Sequence, residues 1–241
     1  MFGVSPAARP FYNHKTGAAP ETIVKTNIGQ NQSSAPGGAL DIPSGVIPAH
    51  SLVLVALVFN HFLVIGDIPV AFTTDGRAFN MDNAITFDNI PDYRVCIYSV
   101  ALGASGISGD TIEAQFFAGG GPDPSATVMF ACYVSGIVDV SPLDQIAAAA
   151  PAASGTQDSG LTAATAIAHE FVYGIIGTTG SGADTVGTWQ AGMAAGMNSG
   201  LSGAQLKEGL KVVHATGTQQ AKVIGATPQT YGALCATYKG A

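Results

Sequence analysis

The residues of this chain that could do chemistry are sparse and far apart. Five histidines, His14, His50, His61, His169 and His214, are scattered along it, so an imidazole cluster arises only if the fold gathers them. His169-Glu170 opens as a zinc-protease helix would, but Tyr173 stands where the second histidine ligand is needed. The segment also reads as strand, which puts His169 and Tyr173 on one face without metal geometry. No Gly-x-Ser-x-Gly elbow presents a serine to a base. The glycine-rich stretch from Gly177 to Gly187 lacks the lysine of a phosphate loop and reads as a flexible connection. Asp75, Asp82, Asp88 and Asp92, with Asn80, Asn83 and Asn89 among them, are hard oxygen ligands that could suit calcium. They lack the DxDxDG spacing, and turn-forming Asx side chains account for them without a metal. Trp189, the single tryptophan, sits in a strand-like Thr188-Trp189-Gln190 and reads as core in preference to a sugar platform. The expectation is a protein that is not an enzyme, with no catalytic, cofactor-binding or metal residues and no cofactor.

The elements that would position these residues are strands. From Ala39 onward, apolar runs alternate with turn residues: Ser51 to Phe59, Phe62 to Ile65, Val70 to Thr74 closed by Asp75-Gly76, Tyr93 to Leu102, Thr111 to Ala118 and Thr127 to Val138. The uninterrupted Leu52-Val53-Leu54-Val55-Ala56-Leu57-Val58 predicts a strand buried on both faces. Thr162 to Gly177, Thr188 to Met193, Leu210 to Ala215 and Thr230 to Tyr238 complete the set, with Gly119 to Pro124 as a loop of turn residues. Ser141-Pro142-Leu143-Asp144, leading into the alanines 147–150, predicts one short helix with Ser141 as its N-cap. About ten short strands and one minor helix predict an all-β fold, an antiparallel β-sandwich with jelly-roll-like connections. No internal period of a few tens of residues is visible, which argues against propellers and solenoids.

Residues 1–38 differ from this pattern. Pro6, Pro10, Pro20 and Pro36 stand among Gly, Asn, Gln and Ser with no sustained apolar period, which predicts an extended N-terminal arm ahead of a sandwich domain over 39–241. Phe2, Phe11 and Tyr12 offer the arm apolar anchors, and Arg9 and Lys15 offer positive charge for docking on a partner.

Charge is scarce, at 10% Asp, Glu, Lys and Arg where roughly 25% is usual. Solubility then rests on Gly, Ala, Ser and Thr, or on partners that cover the surface. The net charge of −7 divides into +2 over residues 1–40, from Arg9, Lys15 and Lys25 against Glu21, and −9 over the remainder. Such a body repels nucleic acid. Cys96, Cys132 and Cys235 lie singly within apolar runs and read as buried small hydrophobes, in keeping with a reducing cytoplasm. No charged region followed by an apolar stretch marks a signal peptide, and the apolar run Leu52 to Ile65 is too short to span a bilayer.

The succession of segments resembles a β-sandwich domain of tailed-bacteriophage virion proteins and some bacterial surface proteins. The residues that carry the likeness are Ile42-Pro43-Ser44-Gly45-Val46 with Leu52 to Ala56, Cys132 to Ile137 with Ser141-Pro142-Leu143-Asp144, Glu170 to Gly174, and Tyr231 to Lys239. His50-Ser51 stands where such domains often carry Gly-Asp. The resemblance implies a virion structural protein on the exterior of the head, assembled in the host cytoplasm: a capsid decoration (cement) protein that binds other virion proteins, the major capsid protein first. It also implies a homo-oligomer, with a trimer suggested by quasi-threefold capsid positions and not by residues. A tail, baseplate or fibre module that binds a receptor or glycan is the alternative it leaves open.

Overall fold

The computed structural model describes residues 21–33, 40–61, 70–73, 76–89, 92–115, 126–180 and 184–241, and these are all-β, with no helix among them. The described residues build four antiparallel sheets stacked face to face. The first large sheet holds β1 (Val24–Ser33), β3 (Ser51–His61), β5 (Asn80–Asn89), β6 (Asp92–Ala101) and β8 (Thr127–Ser135), in the order β1-β8-β3-β6-β5. A three-stranded sheet, β2 (Leu40–Ile47), β7 (Ile107–Gln115) and β4 (Val70–Thr73), in the order β2-β7-β4, covers its outer face.

The second large sheet holds β9 (Leu143–Ala149), β11 (Glu170–Thr178), β13 (Ala194–Leu201), β14 (Ala204–Val213) and β16 (Tyr231–Lys239), ordered β9-β16-β11-β14-β13. Its outer face is covered by β10 (Gln157–Asp158), β15 (Lys222–Ile224) and β12 (Thr188–Trp189), ordered β10-β15-β12. Counting on by eight strands turns the first pair of sheets into the second, strand for strand. Orders 1-8-3-6 and 2-7-4 are those of a jelly roll, with its fifth strand here added beside the sixth. The chain therefore holds two jelly rolls of one topology in tandem. They meet through their large sheets, with β1 against β13 and β9 against β5, β8 against β14 and β16 against β6, and β3 against β11. Each contact has its counterpart eight strands on, the pattern of an isologous two-fold interface.

Three cores fill the spaces between the four layers. β3 explains why its sequence is apolar without interruption: Leu52, Leu54, Ala56 and Val58 point into the central core between the large sheets, and Val53, Val55, Leu57 and Phe59 into the first outer core. β6 does the same, with Val95 and Ile97 on one side and Cys96 and Tyr98 on the other. Full burial of side chains of this size contributes about 1.5–3 kcal/mol each. Trp189, 9% exposed, closes the third core with Val172, Ile176 and Val223, as expected of a core tryptophan. All three cysteines are free and buried.

Several local expectations are corrected. The helix from Ser141 is strand β9: Ala147, Ala148 and Ala149 pair with Cys235, Leu234 and Ala233 of β16, and the Gln145 N–H donates to Thr237 Oγ1 at 3.1 Å. Ser141 has φ of 49° and so cannot hold the extended backbone of an N-cap. An isolated short helix also carries an unfavourable nucleation step that ladder bonds to β16 avoid. Residues 24–33, within the stretch read as an arm, form β1 and pair with β8 along its length. The strand expected from Thr162 starts only at Glu170, because Thr162 and Thr165 bond instead to Gln219 and Gly217. The strand expected from Leu210 begins earlier, at Ala204, and that from Thr188 ends at Trp189. The expected strand over 62–65 and the loop over 119–124 lie outside the described residues.

Candidate functional site

One cleft gathers polar side chains from several elements. It has a volume of about 490 Å³ and is lined by Asn80, Met81 and Asp82 of β5, Ser99 and Ala101 of β6, and Asp139, Ser141, Pro142 and Leu143 at the crossover from the first jelly roll to the second. Local backbone aims the groups. β5 carries a bulge between Met81 and Asn83, which leaves Asp82 without a partner residue on β6 and turns it towards the second unit. There Tyr238 Oη donates to Asp82 Oδ2 at 2.6 Å, and Ser99 Oγ donates to Oδ1 at 2.9 Å. Burial raises the Asp82 carboxyl above its ordinary range, against the opposing pull of these two hydrogen bonds. On the opposite wall Asp139 Oδ2 lies 2.6 Å from His50 Nδ1, and His50 holds a left-handed φ of 56°.

The crossover that carries Asp139 is fixed by backbone bonds. Val138 N–H donates to Lys239 O at 3.0 Å, Lys239 N–H to Pro142 O at 2.8 Å and Ala241 N–H to Gly136 O at 2.9 Å. Thr22 passes against Gly136, so closely that a Cβ there would lie 2.6 Å from Thr22 O, and Gly136 has φ of 76°. A glycine is required on both counts. Thr22, two residues before β1, thus lies beside the crossover that forms one wall of the cleft. Exposed aliphatic side chains flank it: Val140 is 81% exposed and Met81 42%. The cleft has two carboxylates, hydroxyls and an apolar rim. This arrangement suits a cationic group attached to an apolar body.

Other polar groups lie inside the stack. Lys25 of β1 reaches Glu208 of β14 at 2.6 Å, with side chains only 7% and 0% exposed, and Glu208 Oε2 also accepts from Met197 N–H at 2.8 Å. Burial, with the Glu208 carboxylate beside it, holds the Tyr173 phenol well above its ordinary range. Glu170, fully buried at the start of β11, is pushed up to about 7 by burial, opposed by the Thr237 hydroxyl and reinforced by Asp144. The rings of His169 and His214 stand 5.2 Å apart at the same end of the sheet. Among the described residues no group of three or more His, Cys, Asp or Glu side chains could hold a metal ion.

Of the residues singled out from sequence, Asp82 and Asn80 enter the cleft, while Asp88 and Asn83 do not line it. Asn83 Nδ2 instead donates to Ala147 O at 3.0 Å and ties β5 to β9. Phe2, Arg9, Phe11, Tyr12 and Lys15 lie outside the described residues. Sequence reasoning missed Asp139, His50 as its partner, and the pair Lys25 with Glu208. Nothing local marks them, since each pair joins segments far apart in the chain. No protein family, curated protein or solved structure matches the chain.

Proposed function

We propose that this protein is a non-enzymatic structural component of a tailed-phage virion, a capsid decoration protein that binds the outside of the head and contacts the major capsid protein. It works as a homo-oligomer whose N-terminal arm adds contact area. The supporting observation is the character of its surface. Every described Tyr and Trp side chain is buried or half-buried, whereas Val46, Val140 and Leu161 stand 74%, 81% and 62% exposed on a charge-poor stack. Exposed aliphatic groups on a rigid scaffold suit coverage by neighbouring protein. Jelly rolls are recurrent in viral shells, although a fold by itself assigns no role. A glycan-binding module would be expected to display Tyr or Trp rings beside polar groups, and the described loops expose no Phe, Tyr or Trp.

The test is electron cryo-microscopy of virions purified from cells that produce the chain. Density for the stacked double jelly roll on the outer face of the head supports the proposal. Density at a tail tip or fibre overturns it in favour of the receptor-binding reading, and absence of the chain from particles overturns both. A truncation used in such work must stop before Glu21, because removal of residues 1–30 would also delete most of β1 and Lys25.

A further inference from the structure

We propose that Lys207 and Gln157 join covalently once the chain has folded, through an isopeptide bond between Nζ and Cδ that forms with release of ammonia. The inference goes beyond the decoration role and does not depend on it. On β14, Ala204 and Leu206 point into the central core, so Lys207 points the other way, into the third core, as does Gly209, against which the Trp189 ring packs. Gln157 belongs to β10, in the small sheet that covers that core. The two residues are 1% and 0% exposed, and Lys207 Nζ donates to Gln157 Oε1 at 3.0 Å. A carbonyl bond of about 1.23 Å then puts Cδ within about 4.2 Å of Nζ. Reacting atoms in a near-attack arrangement stand about 3–3.5 Å apart, so a small adjustment suffices.

The surroundings favour the reaction. Burial lowers the Lys207 ammonium to about 8, with the Asp184 carboxylate opposing the shift. Part of the population is therefore the neutral amine, which is the nucleophilic form. Gln157 Nε2 is buried without a hydrogen-bond partner. Nothing at that nitrogen resists rotation of the carboxamide about its terminal bond, a torsion with broad minima, and such a turn presents the carbonyl face to Nζ. Nζ attacks Cδ, the Nζ–Cδ bond forms and the Cδ–Nε2 bond breaks. One proton passes from Nζ to Nε2, which departs as ammonia, so the step balances without an oxidant or reductant. Asp184, whose field reaches Lys207, is the carboxylate suited to carry that proton. The product removes two buried liabilities together, a desolvated amine and an unpaired amide donor. It also ties β10 to β14 across 50 positions of sequence, a constraint on the unfolded chain of the kind a disulfide supplies, in a protein whose three cysteines are all free.

The test is the mass of the full-length protein, held folded at a pH above the Lys207 value. A loss of about 17 Da from the sequence mass is expected. Chymotryptic mapping should then join the peptide that holds Gln157 to the peptide that holds Lys207, which lie on opposite sides of the cleavage sites at Tyr173 and Trp189. Lys207→Met and Gln157→Met should each keep the full sequence mass, with a cooperative unfolding transition as proof of folding. A folded parent that retains the full sequence mass would overturn the proposal. So would a loss that persists in Lys207→Met or that maps to other residues. If either variant fails to fold, the mapped linkage in the parent decides alone.

Discussion

Replacing Lys25 by Met should be among the most damaging single changes in the body of the protein. Lys25 is the cation 2.6 Å from Glu208, and both side chains are out of water, at 7% and 0% exposure. Loss of one partner of a buried pair leaves an uncompensated charge, which costs about 3–5 kcal/mol. The Met197 N–H still donates to Glu208 Oε2, which places the expected loss near 3 kcal/mol. Glu208→Gln keeps an acceptor for that N–H and leaves the Lys25 ammonium its bond to Asn27 Oδ1 on the edge strand β1, so it should cost only about 1–2 kcal/mol. The double variant removes both charges and should lose about 1–2 kcal/mol, well short of the summed singles, a coupling of about 3 kcal/mol. Urea unfolding followed by the fluorescence of the sole tryptophan, Trp189, reads all four corners of the cycle. Because the pair is buried, the coupling should change little between low and high salt. A double variant that loses the sum of the two singles would refute the reasoning, since it would mean that the two charges do not depend on each other.

Glu170 gives a pH-dependent test. Its folded-state value is raised from 4.5 to about 7, so between these two the folded chain holds a proton that the unfolded chain has released, and stability falls as pH rises through that window. Glu170→Gln does not titrate, so its stability relative to the parent should improve by about 1–2 kcal/mol from pH 4.5 to 7, after allowance for solvent screening and for Asp144; a constant difference across this range would count against it. Gly209→Ala should displace the Trp189 ring, because a Cβ there would fall 2.6 Å from it; an emission spectrum and unfolding midpoint identical to the parent would contradict that packing. Cys96, Cys132 and Cys235 are buried, which pushes Cys96 and Cys235 up to about 12 and Cys132 higher still above its ordinary value. All three should resist thiol labelling until the protein is unfolded, and fast modification under native conditions would show that their strands open.

How much of this was legible in the sequence follows position within the sheets. β3, β6, β8, β11 and β16 are interior strands, covered on both faces, and their continuous or alternating apolar runs announced them. The unrecognised strands of the large sheets are β1, β5, β9 and β13, the four edges. An edge strand has one neighbour in place of two and less surface to bury, so Val24-Lys25-Thr26-Asn27-Ile28-Gly29-Gln30 could be read as an arm and Asn80-Met81-Asp82-Asn83 as turns. In β9 the alanines satisfied helix propensity, and pairing with β16 overrode it. The duplication escaped notice because it resides in the order of the strands and not in a repeat of residues. The cleft was half visible, through Asp82 and Asn80. Its other wall depends on a crossover whose course is set by Lys239, Gly240 and Ala241 at the far end of the chain.

The junction of two like units in one polypeptide has a further consequence. Two separate jelly rolls meeting through the same faces would come apart on dilution, and their survival would depend on protomer concentration. Covalent fusion removes that dependence and frees the two ends of the shared interface to diverge. One end holds β5, β9 and the acidic cleft, while at the counterpart end β13 meets β1 and Ser199 Oγ bonds Gln32 Oε1 at 3.0 Å. A true homodimer would repeat each end, whereas fusion lets the cleft lined by Asp82 and Asp139 arise at one end while a side-chain hydrogen bond joins the strands at the other.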